Sequence, residues 1–568
     1  MKNHILIICF LFFGINISVA QNLDWAKSIN SGGIFNSFGN LVSSAVDDSG
    51  NEYLTGFFRD TTDFDPGSGV FNLTSNGLGD IYILKLDANG NFLWVKAMGS
   101  NELDAGESIT LDSNGNIYTT GSFTGTVDFD PSAATFELTA PGSERDIFIQ
   151  KLDSDGNFIW AKRMGSSERE IAYSITTDLA DNVYTTGSFF GTVDFDPNVG
   201  STELTSNGSA DIFIQKLDTN GNFIWAKSMG STAFVDYGVD IKTDQNGNVY
   251  STGNFADTVD FDPNAGIANL TSNGSDDIYI QKLDTNGIFI WAKSYGGSTG
   301  DYIGALEVYL DNIYSIGSFP GTIDFDPNNG ITNLTSAGSN DIFIQKLNAN
   351  GDFIWARRIG GSEFDEGLDI AADSSGDLYC AGAFPTTVDF DPNSGVFNMT
   401  PEADYNGFIL KLDANTNFIY ALAIGGTAYN AIKNLNISTI GEVYSSGAFA
   451  NTGDFDPGSG VTNLTAIDPG GDLFIQKFSS TLSAEEYLNQ LQTKVFPNPT
   501  SGSFTINLGK SYSEINTTIT NMLGQVIASE KFENTNNLQL EIEKATGIYI
   551  VNVSTSEGLS ETIKIIKN

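Results

Sequence analysis

A chain of 568 residues with 70 Asp and Glu against 27 Lys and Arg carries a formal charge of -43. That charge opposes both nucleic acid and anionic lipid as partners, because each requires a basic surface. Apolar residues at 40% and aromatics at 12% exceed what a disordered chain contains, while 61 Gly against 14 Pro, with recurrent Asn-Gly pairs, predict many tight turns in an all-β fold.

In chain order, residues 1–20 read as a secretory signal. Lys2 precedes an apolar run over Ile5–Ile15, and Ser18-Val19-Ala20 places small residues before the cleavage point. Cleavage there removes His4, the sole histidine, and Cys9, leaving Cys380 as the one thiol. Such a mature chain forms no internal disulfide and offers no histidine for Ser-His-Asp catalysis, Cys-His catalysis or zinc. No later stretch is long and apolar enough for a membrane-spanning helix.

Residues 21–478 are dominated by an internal repeat. The tetrapeptide Asp-Phe-Asp-Pro ends at Pro66, Pro131, Pro197, Pro263, Pro327, Pro392 and Pro457, in steps of 65, 66, 66, 64, 65 and 65 residues. Each unit holds four β-like runs, in the third copy Tyr173–Asp178, Asn182–Phe189, Asp211–Asp218 and Asn222–Met229. All are rich in β-branched and aromatic residues and are bounded by Gly or Asn-Gly turns. Apolar side chains on both faces of the third and fourth runs require cover on both sides, as when four-stranded sheets stack around an axis in a β-propeller.

The third run recurs from Asp80, Asp146, Asp211, Asp277, Asp341, Gly407 and Asp472. The fourth carries Trp94, Trp160, Trp225, Trp291, Trp355 and then Tyr420, with no copy after Phe478. The missing copy is Leu23-Asp24-Trp25-Ala26-Lys27, so this N-terminal strand is expected beside Leu473–Phe478, closing the ring and hiding two sheet edges. With Asn-Leu-Thr-Ser-Asn-Gly, Asp-Ile-Phe-Ile-Gln-Lys-Leu-Asp and Gly-Asn-Phe-Ile-Trp-Ala-Lys-Ser-Met-Gly beside the tetrapeptide, the units resemble SBBP-type repeats of a seven-bladed β-propeller. The resemblance covers residues 21–478 and implies the fold without naming a ligand.

Alternating connections put short Asp-x-x-Gly-Asn turns, such as Asp112–Asn116 and Asp153–Asn157, on one rim. The Asp-Phe-Asp-Pro insertions share the other rim with the segments that vary between copies, such as Ser100–Glu107, Ser231–Tyr237 and Gly361–Gly367, and a ligand is expected there.

The candidate calcium ligands are the paired carboxylates of that motif: Asp63 and Asp65, Asp128 and Asp130, Asp194 and Asp196, Asp260 and Asp262, Asp324 and Asp326, Asp389 and Asp391, Asp454 and Asp456. Side chains at i and i+2 share one face of a strand, and hard oxygen donors suit calcium. In the alternative, the second Asp starts an Asx or type I turn into Pro while Phe packs into the blade. The Asp-x-x-Gly-Asn turns read as hairpin geometry, and the blade Trp residues, mid-strand at equivalent positions, read as packing. Paired carboxylates also serve glycosidases, but seven near-equivalent pairs distinguish no single acid. No nucleophile elbow, phosphate loop or dinucleotide motif occurs.

Composition shifts after Phe478. Residues 479–494 read as a linker, with Ser483-Ala484-Glu485-Glu486 as the capping box of a short helix. Residues 495–568 form about seven short strand runs, which predict a small β-sandwich. Val495-Phe496-Pro497-Asn498-Pro499-Thr500-Ser501-Gly502, Leu523-Gly524-Gln525-Val526, Gly547-Ile548-Tyr549-Ile550-Val551 and Lys564-Ile565-Ile566-Lys567 resemble the type A C-terminal sorting domain of type IX secretion. The resemblance implies a Gram-negative bacterium, Sec export, passage across the outer membrane, and release or attachment at the surface. The signal contributes Lys2 and the tail six Lys against seven Glu, so the whole charge of -43 belongs to residues 21–493.

The expectation is a secreted or surface-attached seven-bladed propeller that binds an extracellular protein or glycan, with the Sec and type IX machinery as export partners and calcium as the sole cofactor considered. The rivals are an extracellular polysaccharide-active enzyme working by carboxylates alone and a purely structural surface protein. An inward-facing Asp, Glu and Tyr cluster that breaks the seven-fold pattern favours the enzyme. A contiguous aromatic or charged patch on the variable rim favours binding, and a uniform rim favours the structural role.

Overall fold

The computed structural model describes residues 21–30, 43–402, 404–458, 460–467, 470–479, 494–521, 525–555 and 560–567. The signal at 1–20 and the capping box at 483–486 lie outside the described residues. All regular structure described is β-strand. The chain divides into two compact units, residues 1–480 and 481–568.

The first unit holds seven antiparallel sheets with four blade strands each. In the third blade these are Glu170–Thr177, Val183–Phe189, Asp211–Leu217 and Phe223–Met229. The first strands of successive blades are Ser43–Val46, Ala105–Leu111, Glu170–Thr177, Tyr237–Thr243, Tyr302–Tyr309, Glu366–Ala372 and Asn430–Ile437; each touches the next, and the last returns to the first. The blades therefore stand in a closed ring with their first strands innermost.

Both faces of a blade are covered because its neighbours press on them. Tyr118, Ile147 and Ile149 of the second blade share a core with Ala172, Ile175, Val183, Phe189 and Phe213 of the third. The third strand, here Asp211–Leu217, is buried over its whole length. Its apolar run is what a strand covered on both faces requires.

The seventh blade is completed by Asn22–Ile29, antiparallel to Asp472–Ser479, with Leu23 opposite Phe478 and Ile29 opposite Leu473. Ring closure by the N-terminal strand is thus as expected, and it pairs an edge that would otherwise template aggregation.

Each Asp-Phe-Asp-Pro insertion adds a small ribbon to its blade, as where Thr126–Asp128 pairs with Glu137–Thr139. In the fifth blade the ribbon is continuous with the blade strands, giving Asn312–Asp324 and Asn333–Asn348.

Among its described residues the second unit holds five strands in one connected sheet, where about seven short runs were expected. Runs that read as separate merge into Ser503–Asn521 and Val526–Glu541. The buried positions of the first long strand switch from even (Phe504, Ile506, Leu508, Tyr512) to odd (Ile515, Thr517, Ile519). A register irregularity between Asn507 and Tyr512 accompanies the switch. Both halves contribute to one core, with Phe504 and Ile506 clustered with Ile519, Val551 and Ile565.

Candidate functional site

The paired aspartates clamp the ribbon loops. Asp63 Oδ1 accepts the main-chain N–H of Asp65 at 3.1 Å and of Phe71 at 2.7 Å. Asp128, Asp194, Asp260, Asp324, Asp389 and Asp454 accept the same two bonds. The second carboxylate of each pair accepts an N–H two residues on: Asp65 from Gly67, and likewise Asp130, Asp196, Asp262, Asp326, Asp391 and Asp456. The intervening Phe is buried, with Phe129 5.3 Å from Phe123 and 5.1 Å from Phe148 between ring centroids. Among the described residues no three His, Cys, Asp or Glu side chains are grouped to hold one metal ion.

The other rim is built for blade-to-blade cohesion. Asp112 accepts N–H bonds from Asn114 and Asn116, the Asn116 amide and the Tyr118 hydroxyl. Lys151 Nζ lies 3.3 Å from Asp112 and 4.7 Å from the Tyr118 ring centre, and it donates to the Thr219 carbonyl of the next blade. Trp160 donates its indole N–H to that same carbonyl at 3.2 Å. Trp25, Trp225 and Trp291 repeat the bond to the turns of their neighbours. The Trp residues and these turn aspartates are therefore structural, as their mid-strand and hairpin positions indicate.

The irregular chemistry lies on the inner strands, around a central cavity of about 870 Å³. Among the described residues, six of the seven inner strands contain a β-bulge, as between Gly106 and Ser108. The side chain at this point reaches the main chain of the next blade. Ser43 accepts from Ile109, Ser108 from Ile175, Ser174 from Ile241, Asp240 from Leu306, Asp369 from Leu435, and Asn434 from Ser44. Ala305 fills the seventh place and has no acceptor atom.

Charge concentrates beside that gap. Lys242 Nζ lies 3.7 Å from Asp240 Oδ2. Asp240 above all, then Glu307 and Asp369, holds the Lys242 ammonium above its ordinary value. Burial raises Glu307 and Asp369 to about 7 each, against the pull of Lys242. Thr176, Lys242 and Glu307 also line a second cavity of about 850 Å³ that extends to the turn residues Asp112, Asp178 and Asp244.

At the variable-rim end, Tyr173, Tyr237, Tyr302, Phe364 and Tyr429 line the central cavity. The rings of Tyr173 and Tyr237 meet edge to face at 6.4 Å. Tyr429 lies 5.4 Å from Tyr405 and donates to Glu366 Oε2 at 3.4 Å. Burial pushes Glu107 up to about 8 against the opposing Arg145 and Arg169, and it raises Glu366 against Lys433. The mouth therefore combines aromatic faces with two carboxyls that burial raises, Glu107 to about 8, which holds that carboxyl neutral near pH 7.

These lining residues are absent from the motif-based candidates, which were taken from what repeats. The signal is in what does not repeat. The position after the first bulge residue reads Glu107, Tyr173, Val239, Gly304, Leu368 and Lys433, while two places further on Ile109, Ile175, Ile241, Leu306, Ile370 and Leu435 stay aliphatic.

Comparison with known proteins gives the tail its identity: residues 494–568 match the secretion system C-terminal sorting domain. The tail matches a sorting domain over its whole length. Residues 99–125 match the beta-propeller repeat, so the sorting domain follows a propeller in this chain. An uncharacterized WD repeat-containing protein of Acanthamoeba polyphaga mimivirus is 25% identical over 453 residues, which is 66% of this chain and 33% of that protein. Regulatory protein FlaEY of Caulobacter vibrioides is 28% identical over 158 residues, 27% of this chain and 16% of that protein. The chain thus spans a third or less of these curated relatives. Among solved structures, Drosophila Semaphorin 2a is 7% identical with a TM-score of 0.37, covering 97% of this chain and 99% of its own.

Proposed function

We propose that the propeller is a binding module, exported by the Sec and type IX machinery of a Gram-negative bacterium, that takes an extracellular glycan at the variable-rim mouth of its channel. The supporting observation is the cluster of Tyr173, Tyr237, Tyr302, Phe364 and Tyr429 around Glu107 and Glu366, which departs from the seven-fold repeat. Aromatic faces stack on the apolar faces of sugar rings, and neutral carboxyls both donate to and accept from hydroxyls. The sorting domain supports delivery to where such ligands occur.

A glycan array probed with residues 21–568 tests the reading. A selective hit is expected, with affinity falling about tenfold for each of Tyr237→Ala and Tyr302→Ala, since an aromatic contact contributes about 0.5–1.5 kcal/mol. An array without hits, or unchanged affinity in both variants, contradicts it.

The half-buried cluster of Lys242, Glu307, Asp240 and Asp369 on the channel wall favours a second reading, a polysaccharide-active enzyme. Release of reducing ends from the bound glycan, abolished in Glu307→Gln with binding retained, would support catalysis. Intact glycan after prolonged incubation excludes it for that ligand.

Calcium at the Asp-Phe-Asp-Pro loops is a separate proposal that rests on the carboxylate oxygens left over from the loop bonds. Replacing Asp63 and Asp65 by Asn should lower the measured calcium stoichiometry by one. An unchanged stoichiometry contradicts a site in that loop.

A further inference from the structure

A second set of carboxylates recurs where blades meet. The N–H of the residue leading into a blade bonds to the carbonyl just before the third strand of the preceding blade: Asp104 to Gly79, Glu170 to Arg145, Asp236 to Ala210, Asp301 to Asp276, Asp365 to Asn340, and Asn430 to Tyr405. Two buried polar side chains are thereby set side by side: Asp80 and Asp104, Asp146 and Glu170, Asp211 and Asp236, Asp277 and Asp301, Asp341 and Asp365, Asn406 and Asn430.

Adjacent buried carboxylates repel and lose hydration, so each junction needs compensation. Arg163 pairs with Asp146 and Arg358 with Asp341. Asn406 and Asn430 are neutral. Asp104 commits both oxygens to the N–H groups of Ser100 and Thr124, and Asp236 commits both to Ser231 and Ala256.

The junction of Asp277 and Asp301 lacks each of these devices. Strand register puts Ser294 where Arg163 and Arg358 stand in their blades. Pro320 follows Phe319 as Thr124 follows Phe123 and Ala256 follows Phe255, and proline has no N–H to give. Asp277 Oδ2 accepts from Asn273 N–H at 3.0 Å and Asp301 Oδ2 from Gly297 N–H at 2.7 Å. The Oδ1 atoms of both residues are buried with no hydrogen-bond partner.

The two carboxylates approach adjacent residues. Asp277 lies over Gly296, where an added Cβ would stand 2.4 Å from its Oδ1, and Asp301 is bonded to the next residue, Gly297. Asp276 adds negative potential to both, at the position where the second blade has Arg145. Burial above all, reinforced by this like charge, raises Asp277 to about 6 and Asp301 to about 7.

We propose that Asp277 and Asp301 bind one hard divalent cation of the calcium class between the fourth and fifth blades. The two orphan carboxylate oxygens supply the charge, and main-chain carbonyls and water complete the shell. A cation converts the repulsion into a tie between neighbouring blades. This site is separate from the channel and from the Asp-Phe-Asp-Pro loops.

Isothermal titration of chelator-treated residues 21–568 with calcium chloride, paired with thermal melts, tests it. Saturable binding with a raised Tm is expected. Asp277→Asn and Asp301→Asn should each remove one site, abolish its share of the Tm rise, and raise the Tm of the metal-free protein. Asn at these places has a precedent in Asn406 and Asn430. Absence of calcium binding to the unsubstituted chain would overturn the proposal in favour of a shared proton. Unchanged stoichiometry in both Asn variants would overturn it in favour of calcium elsewhere.

Discussion

Glu52 occupies a place that Ile117, Val183, Val249, Ile313, Leu378 and Val443 fill in the other blades. It is fully buried with neither carboxylate oxygen hydrogen-bonded, and burial raises its carboxyl to about 8. Glu107, at about 8, stands in the same condition. Their folded values exceed their ordinary value of 4.5, so the folded chain holds more protons than the unfolded chain between these limits. Stability is therefore expected to be greatest in acid and to fall as pH rises from about 4.5 towards 8. Melts across that window should show the decline, and Glu52→Val should flatten it while raising Tm more at pH 8 than at pH 5. A Tm that climbs with pH in Glu52→Val and unsubstituted protein alike would contradict the burial. A second residue-level expectation concerns Gly200, where an added Cβ would stand 2.0 Å from Asp196 Oδ2. Gly200→Ala should cost about 1–3 kcal/mol in denaturant unfolding, because the loop clamp must open to admit the methyl group.

At the scale of elements, the four blade strands were legible because each carries a strong apolar run between turn signals, and because counting copies exposed the one displaced to the N-terminus. The ribbon strands were not read as strands. Three residues such as Asn72–Thr74 show no periodicity, and their pairing with Thr61–Asp63 depends on carboxylate bonds within the loop. The channel chemistry was legible in part: the variable segments Ser100–Glu107, Ser231–Tyr237 and Gly361–Gly367 contain Glu107, Tyr237, Phe364 and Glu366, whereas Lys242 and Glu307 are single departures within strands, which motif reading passes over because it selects what recurs. The closing strand yields a prediction of its own. Trp25 donates to Ala88 of the first blade while Asn22–Ile29 pairs along the edge of Asp472–Ser479. Deleting residues 21–29 should expose that edge, giving a broader melt and concentration-dependent association on sizing columns. A deletion variant that stays monomeric and melts as sharply as the full chain would show that the closing strand is dispensable.

Over the whole molecule, a regular scaffold and an irregular channel divide the work. Seven near-identical blades supply packing, with acidic groups spent on loop clamps, turn bonds and blade junctions, and this accounts for much of the charge of -43. In the proposed binding role, specificity belongs to inner-strand columns free to vary without disturbing the cores, and the tail's match to the sorting domain accounts for export. The most direct test of glycan capture at the variable rim is hydrogen exchange with and without the best array ligand. Slowed exchange confined to Tyr237–Val239, Tyr302–Gly304 and Glu366–Leu368 is the expected footprint. Protection confined to the Asp-x-x-Gly-Asn turns or to the outer strands such as Phe223–Met229 would contradict it.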